Sequence, residues 1–291
     1  MSVPEALRLW AELIDACPHG CRVHLTGGEA FGQWQRLIDI CRRAAQQGLR
    51  PLENIETNAF WATDEAIVRR RLEALDAAGL KKLVISVDPY HQQYVPIERA
   101  RLAARVAEDV LGAERLQVRW RDWLAEGFDT DTFDDAQRGE LFMRYAANGR
   151  DRMNGRAAAE LAPAVAYKTL DDLAGRPCRQ ALLRSRQVHI GPGGWIMPGT
   201  CAGILLGWAN ERRPVGDCWR QLNADHADRP VLAALARGGP VALARLAGPH
   251  GFVPECRYAG KCHLCWSVRK LLYFKGLYRQ ELGPAGIYES A

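Results

Sequence analysis

The sequence predicts an α/β fold built on a parallel sheet. Runs typical of strands cover residues 22–26, 52–57, 82–87 and 116–120, and runs typical of helices lie between them, near residues 34–47, 64–78 and 97–111. Each strand and helix together take about thirty residues, the length of a βα repeat. Parallel neighbours need a crossover of this kind, so the spacing favours a barrel or partial barrel, with an open doubly wound sheet as the alternative.

Helix boundaries can be assigned from capping residues. Ser2 and Glu5 have the spacing of a capping box, and Pro4 stands in the first turn, so a helix is expected to begin almost at the first residue. Gly48, Gly79 and Gly112 each follow a helical run, where a left-handed C-cap is expected.

Composition indicates a soluble globular protein. Of 291 residues, 48% are hydrophobic and 25% are charged, and the net charge is +5. The arginines are scattered rather than clustered, so a nucleic-acid surface is not expected. No run reaches the roughly eighteen apolar residues of a membrane span, and no secretory segment is visible. The sequence therefore predicts a cytoplasmic protein without membrane association.

Polar residues follow all four predicted strands. In parallel α/β folds ligands bind at the carboxyl ends of the strands, so these residues are expected to line one cleft. They are Gly27, Gly28 and Glu29 after the first strand, Asn58 after the second, Ser86 and Asp88 at the end of the third, and residues 119–122 at the end of the fourth.

The segments "LTGGEA", "ETNAF" and "LVISVDPYH", in this order, resemble the radical S-adenosylmethionine (radical SAM) superfamily. The resemblance implies a partial (β/α)6 TIM-like barrel. It further implies that backbone carbonyls of Gly27 and Gly28, with the carboxylate of Glu29, bind the amino group of S-adenosylmethionine. Asn58, Ser86 and Asp88 match positions that line the cofactor cleft.

One family element is missing from this sequence. The family holds its reductive cluster with a C-x3-C-x2-C loop after its first strand, but here a helix begins at residue 2 and the barrel would lack that strand. Cys17 and Cys21 do not replace the loop, because they enter the next strand from its amino end. Either the recorded start is internal to a longer protein, or the chain is a relative without the strand. The exposed apolar edge of such a barrel favours the first explanation.

The last third of the chain holds six of the nine cysteines. Residues 188–190 and 195–197 read as a hairpin, with "CRYAGKCHLCW" further on. This arrangement is similar to the SPASM and twitch extensions of radical SAM enzymes, which hold auxiliary 4Fe–4S clusters. The resemblance divides the chain into a barrel of residues 1–165 and a cysteine-rich domain of residues 166–291, and implies as ligands Cys178, Cys201, Cys256, Cys262 and Cys265.

Four thiolates suit structural zinc as well as a cluster, and the hairpin favours iron–sulfur. Cys218 is left out of the ligand set, and His263 is expected to be an exposed loop histidine.

The predicted function is that of a radical SAM enzyme with an auxiliary cluster. Such an enzyme uses a 5′-deoxyadenosyl radical to abstract hydrogen, here from a peptide or protein, and takes electrons from a ferredoxin or flavodoxin. The alternative is a non-catalytic relative that binds iron–sulfur or zinc as a binding or electron-transfer module.

Overall fold

The computed structural model divides the chain into two units, Met1–Leu141 and Phe142–Ala291. It describes residues 1–17, 19–49, 51–126, 132–147, 152–165 and 167–289. The domain boundary expected at residue 165 falls inside the second unit.

A parallel sheet forms the centre of the first unit. Its strands are β1 (Val23–Leu25), β2 (Leu52–Thr57), β3 (Lys82–Ser86) and β4 (Leu116–Arg119), hydrogen-bonded in chain order. Ile55 pairs with both Leu25 and Leu83 across the ladders. The predicted α/β class and the parallel direction of the strands are therefore confirmed, and closure into a barrel stays a prediction.

Seven helices accompany these strands in the described part of the chain up to residue 147. The capping box is confirmed, since Ser2 Oγ accepts from the backbone N–H of Glu5 at 3.3 Å and Glu5 Oε2 accepts from that of Ser2 at 3.2 Å. Two short 3-10 turns cover Ala30–Gln33 and Ala113–Arg115. The helices are α1 (Val3–Ala16), α2 (Trp34–Gln46), α3 (Glu65–Ala77), α4 (Pro89–Gln92), α5 (Ile97–Leu111), α6 (Arg121–Glu126) and α7 (Asp135–Ala147).

The glycines expected at helix ends differ in conformation. Gly48 (φ +71°) and Gly79 (φ +89°) take the positive φ that only glycine adopts without strain. Gly112 also has a positive φ, +88°, but its ψ of 149° is extended rather than left-handed helical. The chain therefore leaves α5 in an extended conformation at Gly112 and makes the 3-10 turn Ala113–Arg115 before β4.

One face of the sheet carries the core of the first unit. Side chains alternate between faces along a strand, so Ile55, Leu83 and Ile85 point to the same side. All three are completely buried, and they share one hydrophobic cluster with Leu72 of α3 and Val106 of α5. The helices thus cover this face.

The second unit contains a small antiparallel sheet and eight helices among its described residues. The predicted hairpin is confirmed: β5 (Val188–Ile190) pairs with β6 (Trp195–Pro198), and β7 (Gly207–Trp208) pairs with β6 on its other side. The helices are α8 (Arg156–Glu160), α9 (Ala162–Val165), α10 (Leu170–Leu173), α11 (Arg179–Leu183), α12 (Val215–Asp225), α13 (Pro230–Ala247), α14 (Lys261–Phe274) and α15 (Ala285–Glu289).

Close backbone approach explains one glycine of the hairpin turn. Gly194 has φ +79°, and a Cβ built there would lie 1.8 Å from the carbonyl oxygen of Ala209. No other residue fits this position without moving the chain that carries Ala209.

Helix α13 is the longest apolar segment. By length and composition alone, the stretch Pro230–His250 could span a membrane, whereas no membrane span was expected from the sequence. Of an 18-residue segment within this stretch, 56% is buried. Gly239, at φ +70°, and Pro240 interrupt the helix. A buried core helix meets the same criterion, so this stretch alone does not indicate a membrane.

Replacing Ile85 by alanine tests the core of the first unit. Because Ile85 is completely buried, the cavity should lower the free energy of unfolding by about 2–5 kcal/mol. Hydrogen exchange of the β2 and β3 amides, followed by mass spectrometry, would report this locally. Gln117→Ala, at an exposed position of β4, is the control and should stay within about 0.5 kcal/mol. Equal effects of the two variants would contradict the packing described.

Candidate functional site

A row of polar side chains crosses the other face of the first unit's sheet. Each strand contributes one residue: His24 from β1, Glu56 from β2, Ser86 from β3 and Arg119 from β4. Strand alternation places them opposite Ile55 and its neighbours, on the side away from the helix-covered core. Polar groups of four strands are therefore adjacent near the carboxyl edge.

Glu56 is the centre of this row. Its Oε1 accepts a hydrogen bond from Ser86 Oγ at 3.1 Å and pairs with Arg119 Nη1 at 2.7 Å. Its Oε2 lies 3.5 Å from both His24 Nε2 and Thr26 Oγ1. Four neighbouring side-chain groups of opposite charge or donor character thus surround one carboxylate, and the His24 and Thr26 contacts are the longest of them.

These neighbours decide the charge of Glu56. Burial disfavours the ionised form and would raise the pKa of this carboxyl, but hydrogen bonds from His24 and Ser86 and the charge of Arg119 outweigh it and lower the pKa below the ordinary value. Glu56 is therefore negative at neutral pH. It places a fixed charge on the polar face of the sheet.

Glu29, predicted as a ligand of the S-adenosylmethionine amino group, joins the ends of β1 and β2. Its Oε1 accepts from the backbone N–H of Phe31 at 3.0 Å and from Thr57 Oγ1 at 2.8 Å, and its Oε2 accepts from the backbone N–H of Asn58 at 2.8 Å. A carboxylate has about four acceptor positions, so one remains for a further donor.

The two glycines before Glu29 lie at the surface. Gly27 has φ +100° and Gly28 has φ +59°, and this conformation alone favours glycine at both positions. No atom lies within 4 Å of a Cβ built on either residue. The space beside the turn is therefore open to an approaching group.

Asp88 caps the short helix α4 and is paired with a histidine. Its Oδ1 accepts from the backbone N–H groups of Tyr90 and His91, at 3.0 and 3.1 Å, and its Oδ2 lies 2.6 Å from His91 Nδ1. Burial would lower the pKa of His91, but the hydrogen bond and charge of Asp88, with the charges of Glu56 and Glu29, raise it above its ordinary value. Three carboxylates thus favour the protonated form of His91.

The six residues predicted to bind the cofactor all lie at the carboxyl edge of β1–β3. Glu29 contacts Asn58, Ser86 contacts Glu56, and Asp88 contacts His91. The sequence analysis missed the central groups His24, Glu56 and His91. A signal existed for the first two, because strands covered on both faces read as continuous apolar runs, whereas "VHLT" and "ENIET" alternate.

Four cysteines come together in the second unit. Cys178 is the N-cap of α11, Cys201 follows β6, and Cys262 and Cys265 lie in the first turns of α14. Burial raises the pKa values of Cys178, Cys262 and Cys265, and the neighbouring thiol of Cys201 raises each of them further. Three segments far apart in sequence therefore bring their thiols to one place.

A lysine and an arginine lower the pKa values of these thiols. Lys261 lowers the pKa of Cys178 and Cys262, and Arg269 lowers that of Cys262 and Cys265, in each case against a larger effect of burial. The pKa of Cys265 is nevertheless raised to about 11. Without a bound metal the thiol therefore stays protonated at neutral pH, and metal binding would release a proton.

The second unit holds two further cysteines. Cys256, also predicted as a ligand, is exposed, whereas Cys178, Cys201 and Cys262 are half-buried. Cys218 is buried and donates to the carbonyl oxygen of Trp208 at 3.0 Å. His263 was expected to be an exposed loop residue, and this was wrong: it lies in α14, is buried, and accepts from the backbone N–H of Ala259 at 3.3 Å. Helix α14 begins at Lys261, so His263 lies in its first turn and not in a loop.

Among the residues that the structure describes, no group of three or more His, Cys, Asp or Glu side chains is arranged to hold a single metal ion. Tetrahedral zinc needs sulfur atoms about 2.3 Å from a common centre. A cluster of four irons is larger, and its thiolates stand further apart. Cys178, Cys201, Cys262 and Cys265 supply the donor atoms that both kinds of site use.

No protein-family profile matches this sequence, and no curated protein is similar to it at a significant level.

Titration of His91 tests the arrangement at the carboxyl edge. We expect an NMR titration to place the pKa of His91 above the ordinary 6.5. Asp88→Asn should lower this pKa, because the substitution removes a negative charge that opposes the effect of burial. The ion pair of His91 with Asp88 contributes fully to the stability of the fold at pH below 6.5. This contribution is lost as the pH rises through the raised pKa of His91. His250 in the second unit serves as internal control, and an unchanged His91 pKa in Asp88→Asn would contradict the pairing.

Proposed function

We propose that this chain is a radical SAM protein that binds S-adenosylmethionine at the carboxyl edge of the first unit and a 4Fe–4S cluster at the four thiols of the second. The observation that carries the proposal is the convergence of Cys178, Cys201, Cys262 and Cys265 beside a hairpin. Four soft sulfur donors, of which Cys265 is buried and the other three are half-buried, suit an iron–sulfur cluster, and the resemblance of the hairpin to the SPASM and twitch extensions favours it over zinc.

The cofactor edge supports the first half of the proposal. The methionine part of S-adenosylmethionine offers an ammonium donor and a sulfonium cation, and Glu29 has one acceptor position open to the ammonium. Gly27 and Gly28 leave room for close approach. The negative charge of Glu56, with Ser86 and Asp88 nearby, gives this edge acceptors for a cation and for hydroxyl groups.

The proposed fold of the first unit is a partial (β/α)6 barrel of which the four strands are part. The polar row would then face the interior, since the apolar face is covered by helices. TIM-like enzymes bind substrates at the carboxyl ends of their strands, through the loops that follow them, and the polar row lies near that end.

The proposed activity is hydrogen abstraction by a 5′-deoxyadenosyl radical from a peptide or protein, in the cytoplasm, with electrons from a ferredoxin or flavodoxin. A reductive cluster at the carboxyl edge would supply the electron that cleaves S-adenosylmethionine, and its cysteine ligands are not among the described residues at that edge. The residues of this chain would hold the cofactor in place through Glu29 and exclude water with the buried Ser86 and Asp88.

A second candidate is a non-catalytic relative that binds the cofactor and carries electrons. One observation favours it. Within the part of the chain that the structure describes, no cysteine follows β1, β2, β3 or β4 at its carboxyl end. Cys17 and Cys21 precede β1, and Cys41 is buried in α2. The two candidates share both binding sites and differ in cofactor cleavage.

Iron binding separates the ligand set from the other cysteines. After anaerobic reconstitution with Fe(II) and sulfide, we expect about four irons per chain and a sharp loss of iron in serine variants of Cys178, Cys201, Cys262 or Cys265. Cys256→Ser and Cys218→Ser are matched controls, and both should keep the iron. Zinc without iron in the wild-type protein would contradict the iron–sulfur proposal, and iron loss in Cys256→Ser would return that residue to the ligand set.

Calorimetric titration with S-adenosylmethionine tests the cofactor site. Glu29→Gln replaces an acceptor by a donor that faces the N–H of Asn58, and we expect at least tenfold weaker binding, or about 1.4 kcal/mol. Glu53→Gln, on the same strand as Glu56 but in a surface ion pair, is the control. Equal affinity in both variants, with the fold verified by circular dichroism, would place the cofactor elsewhere.

A further inference from the structure

A buried arginine lies on the same face of α14 as two of the thiols. Arg269 follows Cys265 by four residues and Cys262 by seven, which are the spacings of one helix face. The residue is only 2% exposed. A guanidinium keeps its charge under nearly all conditions, so α14 carries a permanent positive charge beside its thiols.

The guanidinium is held by several contacts. Its Nη1 donates to the carbonyl oxygen of Ala202 at 2.7 Å and to the hydroxyl of Tyr288 at 2.9 Å. Its charge lowers the pKa of the Cys265 thiol one turn earlier on α14, and its guanidinium carbon lies 5.2 Å from the ring centroid of Trp266. Its orientation is therefore determined on all sides by groups next to the thiol site.

The segment after Cys201 is built to fit this arginine. Tyr288 donates its hydroxyl to the carbonyl oxygen of Gly203 at 2.7 Å. A Cβ at Gly203, where φ is +86°, would lie 2.9 Å from Arg269 Nη1 and 2.8 Å from the Tyr288 hydroxyl. Arg269 and Tyr288 thus hold the loop that carries Cys201 against the helix that carries Cys262 and Cys265.

The charge of Arg269 lacks a carboxylate partner. Among the residues that the structure describes, no Asp or Glu forms an ion pair with it, and its Nε is buried without a hydrogen-bond partner. A buried cation without a counter-charge is strongly unfavourable. The anions within its reach are the thiolates that Cys265, Cys201 and Cys262 become when they bind a metal.

We propose that Arg269 is a positioning and charge-balancing residue of the four-thiol site. It fixes the Cys201 loop on α14 and offsets the negative charge that four thiolates bring to a bound iron–sulfur cluster. The cluster identity rests on the proposed function above, whereas the arrangement of Arg269 around the thiols does not.

The proposal predicts the direction of a redox shift. A cluster that gains one electron becomes more negative, and a nearby cation stabilises that reduced form. Removing the cation should therefore disfavour reduction. We expect Arg269→Gln and Arg269→Met to lower the equilibrium constant for one-electron reduction at least tenfold, or by about 59 mV.

The experiment is a dithionite titration of the anaerobically reconstituted full chain, with the reduced cluster followed by electron paramagnetic resonance. Arg269→Lys keeps the positive charge, so the equilibrium constant for one-electron reduction should stay within about threefold of the wild-type value. Iron loading should be lower, because lysine lacks the planar guanidinium group. Lys275→Met, an exposed charge change at the end of α14, is the control and should leave both quantities unchanged.

Tyr288→Phe separates positioning from charge. It removes the hydroxyl that joins Arg269 to Gly203 and leaves the cation in place, so iron loading should fall while the potential stays near the wild-type value. This variant also decides the positioning role if the neutral Arg269 variants do not fold.

The outcomes are distinguishable. A wild-type chain that binds no iron–sulfur cluster overturns the proposed function. A loaded wild type whose potential is unchanged in Arg269→Gln and Arg269→Met overturns the charge-balancing role, and unchanged iron loading in Tyr288→Phe overturns the positioning role.

Discussion

Both polar centres of this protein depend on one constraint: a charge removed from water must meet an opposite charge or several hydrogen-bond donors. In the first unit the constraint acts on Glu56, which is surrounded by Ser86, Arg119 and His24. In the second it acts on Arg269, whose neighbours are thiols and aromatic rings rather than carboxylates. The first charge is balanced by an opposite charge within the fold, and the second is held by hydrogen bonds to Ala202 and Tyr288 and by the Trp266 ring.

The edge of the parallel sheet shows how such balance produces a binding surface. Glu29 uses three acceptor positions to join the ends of β1 and β2, so the carboxylate is held rigidly before any ligand arrives. Asp88 is held in the same way by α4 and His91. Groups positioned in advance lose little conformational entropy on binding, which is the physical advantage of building a site from short loops on a rigid sheet.

The thiol site is assembled differently. Its four cysteines come from the start of α11, the loop after β6 and the first turns of α14, and each segment is tied down by its own contacts. The backbone N–H of Cys178 donates to Leu235 at 2.8 Å, and Arg269 anchors the carbonyl of Ala202 beside Cys201. Contacts with the rest of the second unit therefore fix the segments that carry Cys178 and Cys201.

The sequence by itself determined the local architecture: strand and helix periods, the Ser2 capping box, the hairpin and the identity of the carboxyl-edge loops. These features depend on contacts between residues close in the chain, where side-chain periodicity and capping act directly. It did not determine which of five predicted cysteine ligands lie together, and Cys256 differs from the other four only through folding. Nor did it reveal that Glu56, His24 and Arg119 meet, or that Arg269 reaches the Cys201 loop. Those contacts join residues 30 or more positions apart, so only the packing of whole elements could decide them.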